Sequence, residues 1–220
     1  MKDHFLTLAG PAEGYYMERG SKFLAYIFPV QHEEEAQAYL QAIKKEHPKA
    51  RHYCTALRLN PDASIERSND DGEPSGSAGR PILGQLLKNQ LTNVYVVVVR
   101  YFGGTKLGIP GLLEAYKTST ANAIAAGTMV EKKVLGKVLI KMSYESFPHF
   151  LNHFKQHDIP VLEESFGETA SLVICFPVSV LEKQLIHALQ QLSQMDFKDL
   201  PSYTTYLGID VEVQPGKVII

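Results

Sequence analysis

The run from Val94 to Gly108 constrains this chain more than any other stretch. Six residues, Val94-Tyr95-Val96-Val97-Val98-Val99, are apolar, and all but the tyrosine are β-branched. So continuous a run predicts a strand buried on both faces rather than an alternating half-exposed one. It ends at Arg100, Tyr101 and Phe102, continues through Gly103-Gly104-Thr105-Lys106-Leu107-Gly108, and meets Pro110, where a helical pattern opens toward Ala126. A buried strand that feeds a glycine turn at a helix start exposes backbone N–H groups to an anion, and Arg100 and Lys106 add fixed positive charge. Neither GxxxxGK[ST] nor GxGxxG occurs, so this is no standard nucleotide loop.

The flanking segments predict an α+β chain. Tyr15 to Val30 alternates loosely and reads as two strands or one kinked strand broken at Gly20-Ser21. A helix is expected over Glu33–Glu46, with three glutamates at its start, Lys44-Lys45 at its end and Pro48 beyond. Arg51 to Asn60 alternates as a strand, and Ser64–Ser68 returns after Pro61-Asp62. Residues 69–81, Asn-Asp-Asp-Gly-Glu-Pro-Ser-Gly-Ser-Ala-Gly-Arg-Pro, form a loop, with Ser77 or Gly79 capping a helix that runs to Asn89. The helix from Pro110 to Ala126 should bury Leu112, Leu113, Tyr116, Ala123 and Ile124, with Gly127 as its C′ residue. A second pattern starts after residue 131: a strand over Val134–Met142, a helical stripe of Phe147, Phe150, Leu151 and Phe154, a hairpin over Val161–Phe166 and Ala170–Phe176, a helix marked by Leu181 to Leu192, and a last strand over Tyr203–Val213. That order, βαββαβ, is ferredoxin-like.

Composition limits the function classes. The chain has 220 residues and a formal net charge of −2, so binding to a polyanion would depend on a local patch. Residues 51–108 hold seven Lys/Arg against five Asp/Glu, whereas residues 132–220 hold eight against ten. Cys54 and Cys175 lie far apart in strand-like runs and read as reduced core residues. With no signal-peptide pattern and no apolar run near ~20 residues, a cytoplasmic protein without a membrane segment is expected.

Several residues are candidates for chemistry. Arg51, His52, Arg80, Arg100, Gly103, Gly104, Thr105, Lys106 and Gly108 make up a phosphate- or RNA-binding set if the loops converge. Asp70, Asp71, Glu73, Ser75 and Ser77 belong to a loop that shares the site or forms a solvated turn with capping side chains. His52 with Ser75 or Ser77 and an Asp has triad residue types but no GxSxG elbow. His149, His153 and His157 recur at four-residue spacing on a face opposite the phenylalanines, where solvent exposure is expected. Of the adjacent Tyr101 and Phe102, at most one should be free to stack on a base, and the other should be core. No metal, cofactor or catalytic residue is expected.

Three motifs in order, Arg51-His52-Tyr53-Cys54-Thr55-Ala56, Asp70 to Pro81, and Val99 to Gly108, with Ser21-Lys22-Phe23 before them, closely resemble the YigZ/IMPACT family. The resemblance implies a first domain at 1–131 with the fold of the second domain of ribosomal protein S5. It implies a ferredoxin-like domain at 132–220 similar to domain V of elongation factor G. Eukaryotic members of this family restrain the kinase pathway that shuts down translation initiation during amino-acid starvation, by competing for a ribosome-associated activator. This chain resembles the bacterial branch, without the extra N-terminal partner-binding domain. The leading expectation is a non-enzymatic, translation-associated protein that binds RNA or the ribosome. The alternatives are an enzyme on a phosphorylated or nucleotide substrate, using His52 or a carboxylate of the 70–73 loop as acid/base, and a module that docks a protein partner of the translation machinery.

Overall fold

A computed structural model describes residues 3–196 and 199–219. The chain forms two compact units, His4–Lys132 and Lys133–Ile220, the latter including the first three residues. The architecture is mixed α+β, with two antiparallel sheets and six helices among the described residues.

In the first unit the elements are β1 (His4–Leu8), β2 (Ala12–Glu18), β3 (Ser21–Pro29), α1 (Glu33–Glu46), β4 (His52–Leu59), β5 (Ile65–Asn69), α2 (Gly79–Lys88), β6 (Val94–Tyr101) and α3 (Gly108–Ala126). The sheet runs β2-β3-β6-β4-β5, so the valine run is its central strand. Strand parity divides β6 between two cores. Val94, Val96 and Val98 pack with α2 and α3, whereas Tyr95, Val97 and Val99 pack on the opposite face with Ala36 and Ile43 of α1. Arg100 has the parity of Val98 and so points toward the α2/α3 side. Helix α3 crosses β2 at Gly14, where a side chain would overlap the Ser119 carbonyl and Ala123 backbone. Leu113, expected on the buried face of α3, is 39% exposed, and Ala115 takes the inward position instead. Gly127 ends α3 in extended backbone, not in a left-handed C′ conformation. A side chain there would crowd Ala12 and Leu8, so the glycine serves close packing.

The strand β7 (Met129–Met142) leads into the second unit, followed by α4 (Phe147–Gln156), β8 (Val161–Phe166), β9 (Ala170–Pro177), α5 (Leu181–Ser193), α6 (Leu200–Leu207) and β10 (Asp210–Ile219). Its strands lie in the order β10-β7-β9-β8, all antiparallel. Phe150, Phe154, Ile140, Leu172, Leu185, Leu189 and Tyr203 fill the core.

Two expectations fail here. The segment from Tyr203 is not one strand: α6 occupies Leu200–Leu207, and the strand begins at Asp210. Asp199 caps α6 by accepting from the Ser202 N–H, Pro201 sits in the first turn, and Gly208 closes it in the left-handed region. His153 is not on a solvent face: it is 8% exposed, with its ring 4.3 Å from that of His157. The apolar stripe of α4 is wide enough to take in position 153 beside Phe150 and Phe154. No helix among the described residues is long and apolar enough to cross a membrane.

Candidate functional site

The antiparallel register of β4 and β6 sets His52 directly across from Arg100 and Cys54 across from Val98. β5 pairs with β4 up to Asn69, so residues 70–78 must leave the sheet edge and pass over this end of it. The loop turns through left-handed backbone at Asp71, Gly72 and Gly76. The three sequence motifs thus meet at one end of the first-unit sheet.

Each acid of the loop has its own partner. The Asp70 carboxylate accepts from the N–H groups of Ala78 (3.0 Å), Gly79 (2.8 Å) and Gly76 (2.7 Å). Ala78, the N-cap residue, has no side-chain acceptor, so Asp70 caps α2 from a distance in place of the expected Ser77 or Gly79. Burial pushes its pKa up, but these N–H donors and the positive charge of Arg80 outweigh that and hold it below the usual carboxylate value. Asp71 accepts the Tyr53 N–H at 2.7 Å, and its carbonyl lies 2.8 Å from His52 Nδ1. A carbonyl only accepts, so His52 donates from Nδ1 and leaves Nε2 as its open nitrogen.

Glu73 is not solvated as a simple turn residue would be; its side chain is 4% exposed. One oxygen, Oε1, accepts from Arg100 Nη1 at 2.6 Å and from the Tyr116 hydroxyl at 2.8 Å. Arg100 lies 27 residues away in sequence, and its charge is what draws the carboxylate inside. The guanidinium sits 5.5 Å from the Phe23 ring centre and 5.7 Å from that of Phe102, and Nε has no partner. Cys54 Sγ lies 3.3 Å from the Tyr116 hydroxyl and 3.0 Å from the Asp70 carbonyl, which ties the strand thiol into the same array. Burial drives the Cys54 and Tyr116 pKa values up, so both groups stay protonated.

No serine completes a triad. Ser77 is buried with its Oγ donating to the Pro74 carbonyl, Ser75 is exposed, and the His52 partner is a backbone carbonyl rather than a carboxylate. Among the described residues no three His, Cys, Asp or Glu side chains are placed to hold a metal.

Beyond Arg100 the chain is open to solvent. Phe102 is 57% exposed, and Gly103, Gly104, Thr105, Lys106 and Gly108 are exposed as well. Gly103 packs against the Gly20-Ser21 turn so closely that a side chain would overlap its backbone, and the Gly103 N–H donates to Ser21 Oγ at 3.1 Å. α3 then begins with no side-chain cap. Its first N–H groups lack an in-chain acceptor of the kind Asp70 provides for α2. Lys106 and Arg51 are exposed without an ion-pair partner among the described residues. Arg80 is exposed and folds along Gly76. The convergence therefore produces a buried Arg100–Glu73–Tyr116–Cys54 array beneath, and an exposed aromatic, glycine and lysine surface above.

Residues 19–124 match the family model of the Impact N-terminal domain. The IMPACT family member YvyE of Bacillus subtilis (strain 168) is 33% identical over 184 residues, 84% of this chain and 83% of that one. A solved structure described as a hypothetical protein superposes with a TM-score of 0.64 at 28% identity, covering 88% of this chain and 95% of the other. The two-domain translational regulator Yih1 is 30% identical across 56% of this chain and 47% of its own, with a TM-score of 0.34. With a curated member matched at this identity along most of both chains, this chain belongs to the IMPACT family.

Proposed function

We propose that this chain is a translation-associated protein that binds RNA or the ribosome through the α3 end of the first unit. One observation carries the reading: the three motifs meet at a place where α3 starts uncapped beside the unpaired Lys106, while the α2 start is already filled by Asp70. Phosphate groups would take the N–H groups around Gly103, Gly104 and Gly108, the Thr105 hydroxyl and the Lys106 ammonium. In this reading Arg51, His52 and Arg80 would add positive charge or donors from β4 and the start of α2, and Arg100 stays held by Glu73. The Asp71, Glu73, Ser75 and Ser77 segment shapes the wall. Family membership supports the link to translation. The strand order β10-β7-β9-β8 around α4 and α5 supports reading residues 132–220 as a ferredoxin-like domain, and in the same reading residues 1–131 are an S5-type domain.

Phosphate contacts position a nucleic acid without reading its sequence. Binding should therefore be sequence-tolerant and should weaken steeply with salt. In fluorescence polarisation with labelled RNA, the Lys106→Ala/Arg51→Ala variant should bind more weakly and lower the slope of log K against log salt by about 1.4 for two lost single-strand phosphate contacts. An unchanged affinity and slope in this variant would remove the proposed site. Co-sedimentation of the full chain with ribosomes, before and after RNase, separates RNA contact from a protein partner.

A further inference from the structure

Phe102 needs an explanation that packing does not give. It follows a strand whose every residue from Val94 to Arg100 is buried, yet 57% of its own surface meets water. Its neighbour Tyr101 turns to the opposite face, where its hydroxyl lies 3.0 Å from His47 Nδ1. Phe102 keeps one side of its ring near the Arg100 guanidinium, at 5.7 Å, and the rest open. Arg100 cannot relax away, because Glu73 holds Nη1 and Phe23 lies within 5.5 Å of the guanidinium. The backbone just beyond is fixed by the contact of Gly103 with Gly20 and by the Ser21 hydrogen bond. An exposed ring on a fixed base loses little freedom when something stacks on it.

Resting on the RNA-binding reading above, we infer that Phe102 is a stacking plate for one unpaired base and that the site selects single-stranded over duplex RNA. The cation beneath draws π density toward the inner face and leaves the outer face better suited to an electron-rich base. The base needs a free π-face, which a strand supplies at every nucleotide and a duplex only at its ends. With a base on Phe102, the adjoining phosphates fall toward Thr105, Lys106 and the uncapped α3 start, three to six residues further along the chain. The glycines at 103 and 104 put no side chain between ring and phosphate.

The experiment compares a fluorescein-labelled 12-nucleotide single-stranded RNA with a blunt-ended, two-strand 12-base-pair RNA duplex, using the full chain and its Phe102→Ala, Phe102→Tyr and Lys106→Ala variants. Phe102→Ala should weaken single-strand binding by about 5- to 150-fold, the range for one lost base–aromatic stack, and leave duplex binding within twofold. Phe102→Tyr should restore it, and Lys106→Ala should weaken both RNAs alike. A 2-aminopurine placed in the strand should be quenched by wild type and by Phe102→Tyr but not by Phe102→Ala. Equal effects of Phe102→Ala on both RNAs, or none on either while Lys106→Ala still weakens them, overturns the stacking plate and leaves the phosphate site standing. Wild-type protein that binds neither RNA overturns both readings. Loss of a captured protein partner in Phe102→Ala with RNA affinity intact assigns the ring to a protein contact instead.

Discussion

Replacing Glu73 with alanine tests the buried array most directly. The carboxylate and the Arg100 guanidinium have side-chain exposures of 4% and 8% and meet at 2.6 Å. Deleting one partner of such a pair leaves an uncompensated buried charge, which costs roughly 3–5 kcal/mol. The same oxygen accepts from Tyr116, a fully buried ring, so its hydroxyl also loses its acceptor. Arg100 Nε already lacks a partner, so the site has no spare acceptor to compensate. For a unit of about 130 residues, with an unfolding entropy near 2.1 cal/mol/K per residue, about 4 kcal/mol corresponds to a fall in Tm of ~15 °C. Thermal unfolding by calorimetry gives the shift. Hydrogen exchange read by mass spectrometry assigns it, because peptides from β6 should lose protection while those from β9 should not. The discriminating control is Glu73→Leu/Arg100→Met, which removes both charges and fills the space with apolar groups; it should recover most of the loss. A fall of only ~4 °C in Glu73→Ala, or a double variant no more stable than the single one, refutes the reasoning that an unpaired charge is what the array prevents.

Two further outcomes follow from the packing and the titratable groups. Gly103→Ala forces a side chain into the Gly20-Ser21 backbone, so it should destabilise the first unit by about 1–3 kcal/mol, whereas Gly104→Ala, which has open space but a φ of 88°, should be penalised only for its left-handed backbone; urea unfolding of both variants compares them. Burial first, and then the nearby His157 and His149, hold His153 below the ordinary imidazole pKa. A depressed folded pKa means stability that is complete above the unfolded value near pH 6.5 and is lost as pH falls through the folded one. Acidification from pH 7 to 5 should therefore lower the melting temperature of the second unit, and His153→Phe should flatten that dependence; an unchanged slope in the variant counts against the assignment.

The elements with strong local signals were legible in the sequence. The valine run could only be a central strand, and the helix over Glu33–Glu46 carries its charges at the matching ends. The misses share a cause: two local patterns compete over the same residues. Tyr203 to Tyr206 has strand-like residue types, and the Asp199 cap with Pro201 was the opposing signal that should have taken precedence. His153 had the spacing of a polar face and was taken in by the width of the apolar one.

The loop at 70–78 shows most plainly what residue type leaves undecided. Asp70, Asp71 and Glu73 look equivalent as turn-forming acids, yet each neutralises a different demand: the α2 N-terminus, the Tyr53 N–H and the Arg100 guanidinium. Nothing local distinguishes them, because the β4–β6 register and the path of the loop over Arg100 determine which acid meets which partner. Once those three demands are met from within the chain, the start of α3 still has no side-chain cap, and Lys106 beside it has no ion-pair partner among the described residues. An incoming phosphate therefore does not have to displace Asp70 or break the Arg100–Glu73 pair. The proposed phosphate site at the Gly103–Gly108 turn lies beside Phe102, among the described residues of the first unit the one phenylalanine or tyrosine ring more than half exposed.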